Sequence, residues 1–137
     1  MVYWAGTTVP SLDTVVVLSC LVPTAETGPG RFDVSAGAYA RIVEAVHDHD
    51  LQLLARVHSH PGSWTGHSDK DDGPNLVYDG FYSIVVPDYA ANGVQPLTDC
   101  GVHRFEDTEF KQLDSTEVAQ TFRTITSPPQ YIDTRNP

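Results

Sequence analysis

The segment from residue 51 to residue 61 constrains the fold of this chain more than any other part of the sequence. It is an apolar run that ends in His58-Ser59-His60 and stops at Pro61, which predicts a buried strand. Side chains at alternate positions of a strand lie on the same face. His58 and His60 are therefore predicted to project together from the end of this strand, where both imidazoles could reach one metal ion.

Four other runs of apolar and β-branched residues are predicted strands. They cover residues 2–5, 14–22, 82–86 and 101–105. Glycine and proline between the runs predict a turn at residues 6–10 and a loop at residues 26–31.

One amphipathic helix precedes the strand that ends in the two histidines. Ser35 is its predicted N-cap, and an apolar stripe at helical spacing follows, made of Tyr39, Ile42, Val43 and Val46. His47 and His49 are expected in a solvated turn at its end. A second helix is predicted over residues 116–125 and a short one from Ser68. The whole predicts one mixed α/β domain whose sheet carries the site, with an irregular tail over residues 126–137.

Length and charge exclude several classes of function. The chain of 137 residues is expected to form one domain, and its net charge of -10 argues against nucleic acid as a partner. The acidity favours solubility, or alternatively a basic partner or peptide tail. No apolar run is long enough to span a bilayer and no signal peptide is recognised, so we expect no membrane partner. Cys20 and Cys100 are expected to be small buried hydrophobes, which fits a cytoplasmic protein.

The residues after the histidine pair complete a pattern suited to zinc. The loop at residues 61–67 lets the chain turn and bring Asp71 back as a third ligand, and spacing prefers Asp71 to Asp69 or Asp72. Two nitrogens and one carboxylate oxygen leave the fourth tetrahedral position open, as in catalytic zinc sites. Ser68 lies one helical turn before Asp71, so its hydroxyl could donate to a developing oxyanion.

Each part of this pattern also has a purely structural explanation. Two histidines one residue apart in a strand are often structural or solvent-facing, and Ser68 with Asp71 also fits a helix N-cap. His67 is expected to be an exposed loop residue rather than a partner of the site, and His103 an ordinary strand residue. Trp64 could line a substrate groove or pack on the surface of the domain.

Taken together, His58-Ser59-His60, seven residues, Ser68, two residues and Asp71 resemble the motif of the JAB1/MPN/Mov34 metalloprotease (JAMM) family, in its bacterial stand-alone form. The order of helix, strand and Pro-Gly loop is also similar, as is the run at residues 82–87. The resemblance implies a JAB/MPN domain over residues 1–125, with the MPN-type (cytidine-deaminase-like) curved mixed sheet flanked by helices.

The resemblance also implies an activity. Members of the family hydrolyse peptide or isopeptide bonds, commonly at the C-terminus of a ubiquitin-like or sulfur-carrier protein. In this chain, His58, His60 and Asp71 are the implied ligands of Zn²⁺, and Ser68 is the implied catalytic residue that stabilises the oxyanion.

One residue of the family pattern is missing. The family places its general base, a glutamate, on the strand that residues 2–6 resemble, and the count puts it about two residues before Met1. Glu26 and Glu44 are weak substitutes, since one lies in a Gly/Pro-rich loop and the other off the apolar stripe.

Two expectations follow from the missing glutamate. The preferred one is that the true N-terminus lies upstream and supplies this glutamate; the alternative is a non-catalytic MPN binding module. Zinc kept only for stability is less favoured, because one coordination position stays open.

Overall fold

The computed structural model describes residues 1–28, 31–68, 77–94, 96–123 and 130–135. The strands in this part of the chain are β1 (Val2–Val9), β2 (Thr14–Val22), β3 (Glu26–Gly28), β4 (Arg31–Asp33), β5 (Gln52–Ser59), β6 (Tyr82–Val86), β7 (Gly101–Glu106), β8 (Glu109–Gln112) and β9 (Gln130–Asp133). The helices are α1 (Ala36–Asp48) and α2 (Ser115–Thr121).

Seven of these strands form one mixed sheet, in the order β8-β7-β6-β5-β1-β2-β9. β1 is antiparallel to both β2 and β5, while β5 runs parallel to β6 and β2 runs parallel to β9. β6, β7 and β8 form an antiparallel meander, and β3 pairs with β4 in a separate hairpin. The prediction of a single mixed α/β domain is confirmed.

The two helices cover opposite faces of the sheet. On one face, the α1 side chains Tyr39, Ile42 and Val46 pack with residues of β1 and β2 such as Tyr3 and Leu21. On the other face, Val118 of α2 packs with apolar side chains of the central strands, namely Val57, Ile84 and Val102. Burial of these two apolar surfaces stabilises the sheet between the helices.

Helix α1 begins where the sequence predicts. Ser35 is the N-cap, and its hydroxyl oxygen accepts a hydrogen bond from the backbone nitrogen of Ala38 at 3.2 Å. The predicted stripe is buried except for Val43, which is 41% exposed at the edge of the helix. The strands predicted at residues 14–22 and 82–86 are also confirmed.

The predicted turn at residues 6–10 is wrong. β1 continues to Val9 through an irregular register between Ala5 and Gly6. A β-carbon on Gly6 would lie 2.0 Å from the carbonyl oxygen of Val16, so the glycine permits close approach of two strands rather than a turn. The chain reverses later, at Pro10–Leu12, where Asp13 has a φ of 46°.

Three further expectations need correction. The loop predicted at residues 26–31 contains parts of the β3–β4 hairpin, and the predicted second helix ends at Thr121. The tail expected to be irregular contains β9, because pairing with the edge of β2 supplies partners for its backbone groups. Ile132 of β9 also packs against the core under α1.

Apart from Ser68 itself, the short helix predicted there falls on residues outside the described part of the chain. Among the described residues, no helix is long and apolar enough to cross a membrane.

Candidate metal centre

The imidazoles of His58 and His60 lie side by side at the end of β5. Their ring centroids are 5.1 Å apart, the ring planes are inclined by 58°, and both side chains are half-buried. The alternation of side chains along β5 accounts for this proximity, since residues two apart share a face. We call these two side chains the imidazole pair.

The ring of His60 is fixed by the loop that follows it. Its Nδ1 lies 3.1 Å from the backbone carbonyl oxygen of Trp64. Because a carbonyl only accepts, Nδ1 carries the hydrogen, and Nε2 has the lone pair in the neutral ring. The Trp64 indole stacks on the same ring, at 5.1 Å between centroids and 13° between planes. Metal-ligating histidines typically have their second nitrogen bonded in this way, so this feature fits a metal ligand.

The backbone of His60 is held by the neighbouring strand and the turn after it. The His60 nitrogen donates to Val86 at 2.9 Å, and the His60 carbonyl accepts from the nitrogen of Tyr89 at 2.8 Å. Asp88, Tyr89 and Ala90 have φ values of 52°, 54° and 60°, a left-handed turn of three residues with β-carbons. Such a conformation costs about 1–2 kcal/mol per residue, so the hydrogen bonds to the histidine segment help to maintain it.

Residues 61–68, which we call the site loop, run from β5 over the first residue of β7. A β-carbon on Gly101 would lie 1.9 Å from the carbonyl oxygen of Thr65, so the loop backbone rests directly on β7. Within the loop, a β-carbon on Gly66 would lie 2.5 Å from the Trp64 ring, which therefore covers Gly66. The contact at Gly101 requires glycine, because the obstacle is backbone, whereas a side chain at residue 66 would displace the Trp64 ring.

The end of the site loop is attached to a buried arginine. Arg56 lies two residues before His58 on the same face of β5 and is 1% exposed. Its Nη2 is 2.8 Å from Nε2 of His67, and its Nε donates to the hydroxyl of Ser83 at 3.2 Å. The His67 ring stacks on Phe110 at 4.3 Å.

These contacts correct the expectation that His67 is an exposed loop residue. They also identify Arg56 as a residue that the sequence analysis missed. A charged residue in an otherwise apolar strand, at the alternate position to His58, was the available signal.

Tyr3 of β1 pairs directly with Arg56 across the sheet. Burial raises the pKa of the Tyr3 phenol, as does the neighbouring Tyr39, while the Arg56 guanidinium opposes that rise. Tyr3 is therefore neutral at physiological pH. Its ring also meets Tyr39 edge-on at 5.6 Å, which ties the β5 face to helix α1.

Three of the four predicted site residues lie in the described part of the chain, between β5 and the end of the site loop. His58 and His60 form the pair, and Ser68 is half-buried at the end of the site loop, directly after His67. Asp71 lies outside the described residues, as do Asp69 and Asp72, so its role as a ligand stays a prediction. Glu26 and Glu44 are exposed, and His47 and His49 are exposed at the end of α1, as predicted.

A cavity of about 550 Å³ lies at the opposite end of β5, far along the strand from the imidazole pair. Thr8, Asp13, Gln52, Tyr78 and Arg104 are among its lining residues. Arg104 is already engaged there, with Asp13 at 3.7 Å and Glu106 at 3.2 Å. The histidine end of β5 is the better candidate for a metal, because it carries two adjacent imidazoles, one of which is oriented by a backbone carbonyl.

Among the described residues, no group of three or more His, Cys, Asp or Glu side chains is placed to hold a metal ion, but the histidine end of the sheet has donors that zinc prefers. It offers two imidazoles on one face, one of them oriented by a backbone carbonyl, at the carboxyl ends of the parallel strands β5 and β6. No protein-family model matches this chain, and no curated protein matches it either. The functional argument therefore rests on these side chains.

Proposed function

We propose that this protein is a zinc-dependent peptidase or isopeptidase of the JAMM type, built on an MPN-type fold. The observation that carries the proposal is the imidazole pair, with rings 5.1 Å apart and the Nδ1 of His60 bonded to the carbonyl of Trp64. A hydrogen bond of this kind selects the tautomer whose Nε2 can bind a metal.

Each residue has a defined task in this proposal. His58 and His60 bind the zinc through ring nitrogens, and Asp71 contributes a carboxylate oxygen. Zinc held there supplies Lewis-acid chemistry, which acidifies water and polarises a carbonyl group. The Ser68 hydroxyl donates a hydrogen bond to the carbonyl oxygen of the substrate as that oxygen gains negative charge.

The general base is proposed to be a glutamate upstream of Met1. β1 runs antiparallel to β5, with Val2 opposite Val57, so a strand continued upstream would run beside His58 and His60. In that register, a residue two places before Met1 would lie opposite His60 and on the face of the imidazole pair. The register therefore supports the family-based position of the glutamate.

The proposed substrate is the C-terminal segment of a ubiquitin-like or sulfur-carrier protein in the cytoplasm. Two residues that contact His60 have exposed aromatic side chains. Trp64, 58% exposed, stacks on the His60 ring, and Tyr89, 72% exposed, donates its backbone N–H to the His60 carbonyl. Exposed aromatic side chains beside a reactive centre are suited to contact a polypeptide. Cys20 and Cys100 are both free thiols, which fits a reducing compartment.

A non-catalytic MPN binding module is the second candidate. The observation in its favour is that Glu26 and Glu44, the possible substitutes for the general base, both have exposed side chains. A protein without a base in the site would still bind zinc and a partner protein.

The first experiment tests the metal site. We expect the purified protein to bind one equivalent of zinc, and His58→Ala and His60→Ala each to lower the affinity severely, because the remaining groups cannot complete the coordination. His47→Ala, at the exposed end of α1, is the matched control and is expected to bind zinc normally. Undiminished zinc in both site variants would refute the assignment.

The second experiment separates the hydrolase from the binding module. The chain as given and a form extended upstream in frame are loaded with zinc and incubated with ubiquitin-like fusion proteins. Cleavage by the extended form, and its loss when the upstream glutamate is replaced by glutamine, is the expected result. An extended form that contains the glutamate, binds zinc and leaves every fusion intact would favour the binding module.

A further inference from the structure

The guanidinium group of Arg56 is buried under the site loop, and burying a charged group is energetically unfavourable. Arg56 is 1% exposed in the middle of β5, whose neighbouring residues Ala55 and Val57 are apolar. Removing a charge from water costs several kcal/mol unless hydrogen bonds and favourable contacts offset the loss. The contacts of Arg56 therefore indicate the structural role of this buried charge.

Those contacts join the sheet to the site loop. The Nε of Arg56 donates to Ser83 on β6 at 3.2 Å, which fixes the guanidinium relative to the neighbouring strand. Its Nη2 lies 2.8 Å from Nε2 of His67, and its central carbon lies 5.1 Å from the centre of the Phe110 ring on β8. The Arg56 guanidinium, which is held on β6 by Ser83, thus contacts the end of the site loop at His67 and the ring of Phe110 on β8.

His67 is the hydrogen-bond acceptor for Arg56 in this contact. Arginine has only donors, so Nε2 of His67 accepts and its Nδ1 carries the hydrogen. The ring is stacked on Phe110 at 4.3 Å and lies 5.5 Å from the ring of His103 on β7. His67 is therefore contacted from β5, β7 and β8, and the next residue is Ser68.

We propose that Arg56 and His67 are positioning residues, which hold the site loop on the sheet before any metal binds. The hydrogen bond between them fixes the C-terminal end of the loop, while His60 fixes its N-terminal end through Trp64. Ordering the loop in advance reduces the entropy lost when Ser68 engages ligand. The benefit to zinc binding rests on the proposed function, whereas the ordering of the loop does not.

Four variants separate positioning from simple stabilisation. His67→Phe removes the acceptor and keeps a ring on Phe110, and His67→Gln keeps an acceptor. Arg56→Met removes the donors, and the double variant Arg56→Met/His67→Phe removes both partners. We expect His67→Phe to lower the melting temperature and the double variant to restore it, because replacing both partners by apolar groups avoids a buried guanidinium that has lost one of its acceptors.

The order of the loop is measured in the metal-free protein by the α-proton shifts of Gly66. These protons lie against the Trp64 indole, since a β-carbon there would be 2.5 Å from the ring, and we expect them to be shifted upfield. The upfield shift should be lost in His67→Phe and in the double variant, and kept in His67→Gln. A double variant that regains both its melting temperature and the Gly66 shift would overturn the proposal, as would a shift unchanged in every variant.

Zinc affinity, measured by competition with a chelator, is the second readout. Loss of a residue that orients a metal site typically costs about 10–100-fold in affinity, so we expect this loss in His67→Phe and in the stable double variant. His67→Gln should bind zinc nearly as the unchanged protein does. If the unchanged protein binds no zinc but Gly66 responds as expected, the positioning role stands and the proposed function fails. A double variant that keeps full zinc affinity would contradict the positioning role.

Discussion

Gly101 is the residue on which the site loop rests. Thr65 approaches it so closely that an added β-carbon would meet the Thr65 carbonyl oxygen at 1.9 Å, and the obstacle is backbone, which cannot rotate away. Val85, the neighbour of Gly101 across the sheet, is in turn the neighbour of His58. A disturbance at Gly101 therefore occurs two strands from the imidazole pair.

We predict that Gly101→Ala displaces the site loop and lowers zinc affinity by about tenfold or more. A loss of stability of about 1–3 kcal/mol is also expected, because the added β-carbon overpacks the contact. Gly62→Ala is the matched control in the same loop, because nothing lies within 4 Å of the added β-carbon. Chelator competition and denaturant unfolding measure the two quantities. Equal behaviour of the two variants would show that the loop does not depend on contact with β7.

The fluorescence of Trp64 is expected to report on His60, because the two rings are stacked with their centroids 5.1 Å apart. We predict that zinc titration changes the fluorescence of Trp64, since a bound cation alters the charge on the ring beneath the indole. The protein contains two tryptophans, so Trp64→Phe assigns the signal: it should abolish the change and keep the Trp4 emission. A zinc-dependent change that survives in Trp64→Phe would place the metal away from His60.

Among the secondary-structure elements, strands rich in β-branched residues were predictable from the sequence. Strands that form only by pairing with another strand were not. β2 and β6 are dense in β-branched residues, so their bounds could be predicted from the sequence alone. β8 could not, because its hairpin turn uses Asp107 and Thr108 at φ values of 51° and 77°, where glycine or asparagine is the usual signal. β9 could not either, because its partner strand lies more than a hundred residues earlier.

The same distinction applies to the candidate site. The common direction of His58 and His60 follows from a two-residue period, which is a local property of one strand. The contact between Arg56 and His67 joins residues 11 apart through a loop that turns back over the sheet. No local pattern specifies that path, since it depends on Gly101, Gly66 and the ring of Phe110.

The strand β9 ends in an ion pair that makes a pH-dependent prediction. Arg135 donates to the Asp133 carboxylate from its Nε at 2.8 Å and from its backbone nitrogen at 3.0 Å. These hydrogen bonds lower the pKa of Asp133 to about 2, from an ordinary value of 3.8. A lowered folded-state pKa means that the contribution to stability is present above pH 3.8 and is lost as the pH falls towards 2.

We therefore expect the Asp133 carboxyl to titrate at about 2 by NMR. Arg135→Gln should raise that pKa towards the ordinary value, because the charged donor is removed. An Asp133 pKa that is unaffected by Arg135→Gln would assign the shift to another cause. Asp133 is an exposed residue, so the effect on global stability is expected to be small.

In the proposed function, the histidine end of the sheet couples zinc binding to the folding of the whole protein. The two imidazoles share one face only when β5 is formed, and the site loop then orients the His60 ring, so zinc is expected to bind the folded state in preference to the unfolded chain. Free zinc at a hundred times its dissociation constant would then add about 2.7 kcal/mol to the free energy of unfolding.

The corresponding prediction concerns heat denaturation. Zinc should raise the melting temperature of the unchanged protein, and an excess of chelator should reverse the rise. His58→Ala and His60→Ala should show no rise, whereas His47→Ala should respond as the unchanged protein does. A rise of equal size in the site variants would mean that zinc stabilises the fold from some other position.

The parallel pairing of β2 with β9 has a consequence for the protein during its synthesis. The hydrogen bonds that close this edge join Val22 to Thr134, a separation of 112 residues. At a translation rate of about 5–20 residues per second, the β2 edge emerges on the order of ten seconds before its partner exists. During that interval, a row of unpaired amide and carbonyl groups is open to strands of neighbouring nascent chains. The yield of native protein is thus expected to depend on ribosome spacing and chaperone supply as well as on the stability of the finished fold.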